Sequence, residues 1–347
     1  MSQDTKIKIS NLTKIFGPKS QSMVKYVDNG VGKDELLKVH KHVLGLSNIS
    51  LELANKNIEV IMGLSGSGKS TLIRNINRLI EPTAGSIVID GEDVTKMSKE
   101  QLRVFRQKKT AMVFQSFALL PHKTVLDNVC FGIFLQGVKA DEYHKRARRW
   151  IDRVGLTGYE DRYPSQLSGG MQQRVGLARA LTCDTEILMM DEAFSALDPL
   201  IRSDMQDLLL QLQGELHKTI VFITHDLDEA LKIGDRIAIL NHGELVQHGT
   251  SQEILMTPAD DYVRDFVKKV NRSHVLHALS VMTDTKPDSG HSIVKVKEND
   301  TIDNVLCDML RSNAHCAVVI NKKGSEVGYI NKNDIANVVK PIVVDAA

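Results

Sequence analysis

The sequence predicts an α/β fold, a largely parallel sheet with helices on both faces, and three observations predict it. Ile58-Glu59-Val60-Ile61-Met62 is a short, mostly apolar stretch that runs into a glycine-rich loop and then a helix opened by Thr71-Leu72-Ile73-Arg74-Asn75-Ile76. Ile187-Leu188-Met189-Met190 is apolar throughout and delivers Asp191 and Glu192 at its end. Thr219 to Thr224 is a third buried run, with His225 directly behind it. Continuous apolar runs mark strands covered on both faces, as in a central parallel sheet.

The loop after the first strand, Gly63-Leu64-Ser65-Gly66-Ser67-Gly68-Lys69-Ser70, fits GxxxxGK[ST] without a departure. Gly63, Gly66 and Gly68 remove side chains where the backbone must curl, so that amide N–H groups and the helix end face a polyphosphate. Ser65, Ser67 and Thr71 complete the candidate binding set. Lys69 is placed to reach terminal phosphates, and the Ser70 hydroxyl to meet a magnesium ion that keeps its other sites for water and phosphate oxygens. A glycine-rich turn with a stray lysine would share these residues but not the strand, loop and helix around them.

The two carboxylates complete the metal logic. Asp191, at the carboxyl end of its strand, would support magnesium, and Glu192 can polarise a water that attacks a γ-phosphate, because phosphoryl transfer demands mainly positioning and charge stabilisation. The bland reading of the pair is a solvated acidic turn behind a core strand.

A second anion loop follows. Ser168, Gly169 and Gly170 precede an amphipathic run with Met171, Val175, Ala178 and Leu181 at helical spacing, so Ser168 can cap that helix. This loop has no lysine, so a full pocket needs it and something else. Here the chain resembles the ATP-binding cassette (ABC) superfamily, in which this motif closes over the γ-phosphate held by a partner subunit's P-loop. The resemblance implies a homodimer with two composite sites, ATP and Mg2+ as cofactors, and an ABC nucleotide-binding domain made of a RecA-like core, an antiparallel β subdomain and a helical subdomain at about 116–182.

Other positions match that family one by one. Lys108 to Phe114 reads as a strand ending in Gln115, similar to the glutamine that contacts magnesium or the attacking water. Ser195-Ala196-Leu197-Asp198 resembles the segment that crosses the dimer interface, with Asp198 in the nucleotide set. His225, 33 residues after Glu192, is similar to the histidine that senses the γ-phosphate; a lone histidine after a strand is otherwise a satisfied polar tip. Phe16 is the candidate for the ring that stacks on adenine. An insertion, about Pro18 to His42 with a short helix at Asp34 to His42, separates it from the next strand, and a core phenylalanine at a strand end is the other reading.

Composition fits this frame. A chain of 347 residues, 42% hydrophobic and 25% charged, has room for a large core and two domains. Its net charge of +1 gives no electrostatic case for nucleic acid. Cys130, Cys183, Cys307 and Cys316 have neither CxxC nor zinc-like spacing, which reads as reduced thiols. The most apolar long patch, Val129 to Val138, is too short to cross a bilayer. If transport is the task, as the resemblance implies, separate permease subunits must supply the pore, with the surface at Gln115 to His122 receiving them. Phe117, Leu119, Leu120 and Pro121 are candidate contacts there, or internal packing of the helical subdomain. Trp150 reads as packing, and Lys145 to Arg149 as a solvated helix face.

Beyond about Asn271 the character changes. Thr285 to Ser292 reads as a linker or long loop, Asp300 to Arg311 as a capped helix, Ala317 to Ile320 and Val327 to Ile330 as strands around a Lys323-Gly324 turn, and Asn333 to Val339 as a helix. That order resembles one cystathionine-β-synthase (CBS) motif, so 1–270 is expected to be the ATPase domain and 271–347 a small α+β, CBS-like regulatory or dimerisation domain.

Over nearly its whole length the chain resembles the ATPase subunits of importers for glycine betaine, choline and related compatible solutes. The early insertion, Val60 to Ser70, Asn77-Arg78-Leu79-Ile80-Glu81-Pro82-Thr83 and the appended C-terminal motif carry the resemblance. It implies ATP-driven uptake of a quaternary amine such as choline, glycine betaine or trimethylamine oxide. The expected setting is peripheral, on the cytoplasmic face of the plasma membrane, with an extracellular or periplasmic substrate-binding protein engaged indirectly. Import of another small solute such as an amino acid is the alternative. A soluble cassette protein acting on ribosomes or DNA, or a nonhydrolysing regulator, are others, and intact Glu192 and His225 speak against the last.

Overall fold

A computed structural model describes residues 4–268, 270–285 and 292–339. The chain divides into two compact units, 1–248 and 249–347, so the division falls earlier than the 270/271 boundary expected from sequence. The helices Ser251–Met256 and Asp261–Val267 lie in the second unit.

Among the described residues up to Gly249, ten strands follow in order: β1 Thr5–Phe16, β2 Val43–Ala54, β3 Ile58–Met62, β4 Ala84–Ile89, β5 Glu92–Asp93, β6 Thr110–Phe114, β7 Ile187–Asp191, β8 Thr219–Thr224, β9 Arg236–Asn241 and β10 Glu244–Gly249. Six form the central sheet, in the order β10-β9-β3-β8-β7-β6, and β9, β3, β8, β7 and β6 are parallel neighbours. Every residue of β3, β7 and β8 is buried, as expected of largely apolar strands covered on both faces. In register, Met62 pairs with Thr224, Ile223 with Asp191 and Asp191 with Phe114. The loops that open at Gly63, Gln115, Glu192 and His225 thus leave the same sheet edge, where ligands bind in open α/β sheets.

The second sheet, β2-β1-β4-β5, is antiparallel and alternates buried and exposed residues along β1 and β2. Ile7, Ile9, Leu51 and Ile87 from it join Leu72, Ile73, Met189 and Val221 in one apolar core, so the helix Lys69–Ile76 is packed between both sheets. A separate core of Val125, Val129, Ala147, Ile151, Val175 and Ala178 holds together the helices Val125–Leu135, Ala140–Arg153 and Gly169–Thr182. Leu119 and Trp150, both partly buried, pack against it.

The insertion forms Ser20–Met23, Val24–Asp28 and the helix Lys33–His40. Its neck is closed by Phe16 pairing with Val43 in register and by the His42 ring, whose Nδ1 lies 2.6 Å from the His40 carbonyl and Nε2 2.7 Å from the Pro18 carbonyl. A side chain on Gly17, at φ +140, would meet that ring at 2.4 Å. The helix Lys99–Lys109 is an addition to the sequence-based reading and sets the start of β6 at Thr110, two positions beyond the expected Lys108.

In the second unit, β11 Ile293–Lys297, the helix Ile302–Arg311, β12 Cys316–Ile320, β13 Glu326–Asn331 and the helix Lys332–Val339 follow one another. β11 runs parallel and β13 antiparallel to β12. The linker expected at Thr285 to Ser292 lies for the most part outside the described residues.

Candidate functional site

The glycine loop turns because its glycines permit it. Gly63, Gly66 and Gly68 have φ of +150°, +78° and +103°, where other residues are strained. Gly63 and Gly68 are also bound by close approach: a methyl on Gly63 would stand 2.2 Å from the Leu240 carbonyl oxygen, and one on Gly68 2.6 Å from that of Gly45. The turn between β9 and β10 braces the loop from behind, with Gly243 N–H donating to the Ser67 carbonyl at 3.0 Å.

Lys69 is buried, and its ammonium donates to the carbonyls of Gly63 at 2.9 Å and Leu64 at 3.1 Å. It also stands 3.6 Å from Glu192 Oε1. The Ser70 hydroxyl donates to Asp191 Oδ1 at 2.8 Å, and Arg74 Nη2 to Asp191 Oδ2 at 3.2 Å. Glu192, in the left-handed region at φ +47°, receives Gln115 Nε2 on its Oε2 at 3.2 Å and has His225 Nδ1 at 3.8 Å. Gln115 also donates to Ser195 Oγ at 3.3 Å. Ser65, Gly66, Gly68, Lys69, Ser70, Thr71, Gln115 and Glu192 line a cavity of about 380 Å³.

This cavity fits a Mg2+-polyphosphate. It is lined by Lys69, Ser70 and Thr71, whose ammonium and hydroxyls are donors suited to phosphate oxygens. Among the described residues no group of three His, Cys, Asp or Glu could hold a metal. One hydroxyl, one amide and one carboxylate at Ser70, Gln115 and Asp191 suit a magnesium ion that takes the rest of its shell from phosphate and water.

The other candidates lie outside that cavity. Ser168 caps the helix Gly169–Thr182, its hydroxyl accepting from Met171 N–H at 3.3 Å. Gly170 lies so close to Ile201 that a methyl group would meet its Cγ2 at 2.6 Å. Asp198 caps the helix Pro199–Leu216, Oδ1 accepting from Ile201 N–H at 3.1 Å. The Phe16 ring, 38% exposed, lies against Gly45, whose carbonyl abuts Gly68. Lys14 Nζ sits 4.9 Å from its centre. Phe16 is thus an exposed ring beside the loop and not a core residue.

Arg74 was missed by sequence reasoning, although its spacing from Ser70 gave the signal: residues four apart on a helix share a face. Both therefore reach one carboxylate.

A parallel core with this loop, two carboxylates at one sheet edge and a serine-capped helix that begins with two glycines on a helical subdomain defines a P-loop nucleotide-binding protein of cassette type. A family model described as "ABC transporter" matches residues 46–195. The glycine betaine transport ATP-binding protein OpuAA of Bacillus subtilis is 57% identical over 277 residues, which are 80% of this chain and 66% of that one. The trimethylamine N-oxide transport system ATP-binding protein TmoW of Pelagibacter ubique is 43% identical over 97% of this chain and 98% of its own. The ATP-binding cassette MJ0796, solved as a dimer in a post-hydrolysis state bound to ADP and Pi, superimposes with a TM-score of 0.61 at 31% identity, covering 71% of this chain and 98% of that one. The chain belongs to the ABC transporter family, among its ATP-binding proteins, which are transport ATPases. No helix among its described residues is long and apolar enough to cross a membrane.

Proposed function

We propose that the protein hydrolyses ATP to power uptake of a quaternary amine or related methylated compatible solute through separate permease subunits. The observation that carries the ATPase reading is the position of Glu192 between Lys69 and Gln115 at the mouth of the phosphate cavity. The solute class is supported by relatives named for glycine betaine and trimethylamine N-oxide transport, both small methylated amines.

In this reading Gly63, Ser65, Gly66, Ser67, Gly68, Lys69, Ser70 and Thr71 bind the phosphates, and Ser70, Gln115 and Asp191 hold Mg2+. The ion supplies charge neutralisation across the phosphates when bound. Lys69 exchanges its two carbonyl partners for phosphate oxygens, which keeps a buried ammonium satisfied throughout. Glu192, freed from Lys69, accepts a proton from water, while Gln115 and His225 orient it. Phe16 stacks on adenine, supported by its exposed ring beside Gly68. Ser168, Gly169, Gly170 and Asp198 act on the nucleotide of a second copy, supported by their absence from the cavity lining of their own P-loop and by the dimeric MJ0796.

The second unit is proposed as a single CBS-like domain for regulation or dimerisation, the boundary lying at 248/249. The protein would sit peripherally on the cytoplasmic membrane face, with a substrate-binding protein engaged through the permease. The test is uptake by the complex reconstituted with its permease in vesicles loaded with ATP. Glycine betaine, choline or trimethylamine oxide should be accumulated and compete with one another. ATP-driven uptake insensitive to all three would reject the solute class.

A further inference from the structure

We propose that the inserted helix supplies a second lysine to the phosphate loop, Lys33, as a positioning residue that sets nucleotide affinity by holding Gly66. The proposal rests on the ATP-site reading above. Lys33 opens the helix Lys33–His40, and its ammonium donates to the Gly66 carbonyl at 3.1 Å. Gly66 lines the phosphate cavity, so the residue held is part of the site.

Three features make this bond more than a surface contact. First, Gly66 has φ +78° and open space where a side chain would be, so packing does not fix its peptide. Second, the donor is anchored. Leu36, on the same helix, is fully buried against Ile15 and Leu44, with Val27 and Val31 packed around it. A lysine on such a base loses less freedom on bonding than one on a mobile loop. Third, the bond acts where the loop is about to lose others. Lys69 is tied to the Gly63 and Leu64 carbonyls, and the latter also accepts from Ser67 N–H at 3.2 Å. A phosphate that recruits Lys69 removes those ties, whereas Lys33 reaches Gly66 by a different route and keeps the turn in place. An ammonium on the Gly66 carbonyl also polarises the peptide it belongs to, which makes the Ser67 N–H a stronger donor. The acidic side chains nearby, Asp34, Glu35 and Glu244, line a neighbouring cavity with Lys33 and His242, so the lysine carries the positive charge of an otherwise acidic rim toward the phosphate loop.

The test uses the full-length protein with Lys33→Met and Lys33→Arg. Amide exchange across Leu64 to Gly68 in nucleotide-free protein should quicken about threefold or more in Lys33→Met and stay near wild type in Lys33→Arg. KM for ATP should rise about fivefold in Lys33→Met with kcat within twofold, and Lys33→Arg should restore it. Unchanged exchange and KM, or a loss of kcat at constant KM, would overturn the assignment. The exchange readout needs no hydrolysis, so a wild-type protein that failed to bind or turn over ATP would reject the ATP-site reading separately.

Discussion

The Ser70 hydroxyl donates to Asp191 Oδ1 at 2.8 Å, joining the start of the P-loop helix to the end of β7 although β8 lies between β3 and β7 in the sheet. The two groups proposed to share a magnesium ion also share a hydrogen bond. Asp191→Ala and Ser70→Ala should each raise the Mg2+ concentration for half-maximal ATPase about tenfold. The double variant should cost clearly less than the product, because both act on one ion. Mg2+ titration of the steady-state rate checks this.

Glu192→Gln should leave ATP binding within about threefold of wild type and lower kcat by about a hundredfold or more, since the amide keeps the shape and hydrogen bonds but takes no proton. Nucleotide binding by calorimetry and phosphate release measured on the same preparation separate the two effects. Turnover near wild type would remove Glu192 from the base role.

Phe16→Ala should weaken ATP binding about fivefold, in line with an aromatic contact of about 1 kcal/mol, and Phe16→Tyr should recover it. The loss should vanish for inorganic triphosphate, which has no base to stack. A competition assay with both ligands checks the split.

Lys6, Lys109, Asp90 and Glu186 form a charge cluster that ties β1 and the end of β4 to the starts of β6 and β7. Hydrogen bonds from Lys6 and Lys109 pull the Glu186 carboxyl down to about 2. A depressed acid stabilises the fold above its unfolded value and loses that contribution as pH falls from about 4.5 toward about 2. Half the Glu186 side chain is exposed, so screening holds the contribution to about 1 kcal/mol. Glu186→Gln should therefore be less stable than wild type at pH 6, and the two should converge toward pH 2 in denaturant melts.

Much of the site was legible because its chemistry is local in sequence. Glycines at 63, 66 and 68, a lysine and a serine specify one loop, and apolar runs ending in Asp191 and Thr224 specify the neighbours that face it. Sequence also carried signals that went unread. Ser98 and Gln101 form a capping box that starts the helix Lys99–Lys109. What could not be read depends on long-range contacts. Glu59, inside an apolar run, is almost fully buried because His248 Nε2 lies 2.7 Å from its carboxylate, 189 positions away in the chain. Lys33 touches Gly66 only because Leu36 seats its helix on β1 and β2, which no spacing in the sequence expresses.

The central claim is a nucleotide held by one copy's P-loop and closed by another copy's Ser168 loop. Cross-linking tests it most directly, with Ser65→Cys and Ser168→Cys placed together in a Glu192→Gln chain whose exposed Cys307 is replaced by serine. With ATP and Mg2+ a short bifunctional thiol reagent should join two chains into a covalent dimer, and without nucleotide it should not. Equal cross-linking with and without ATP, or none in the ATP-loaded state, would contradict the composite site.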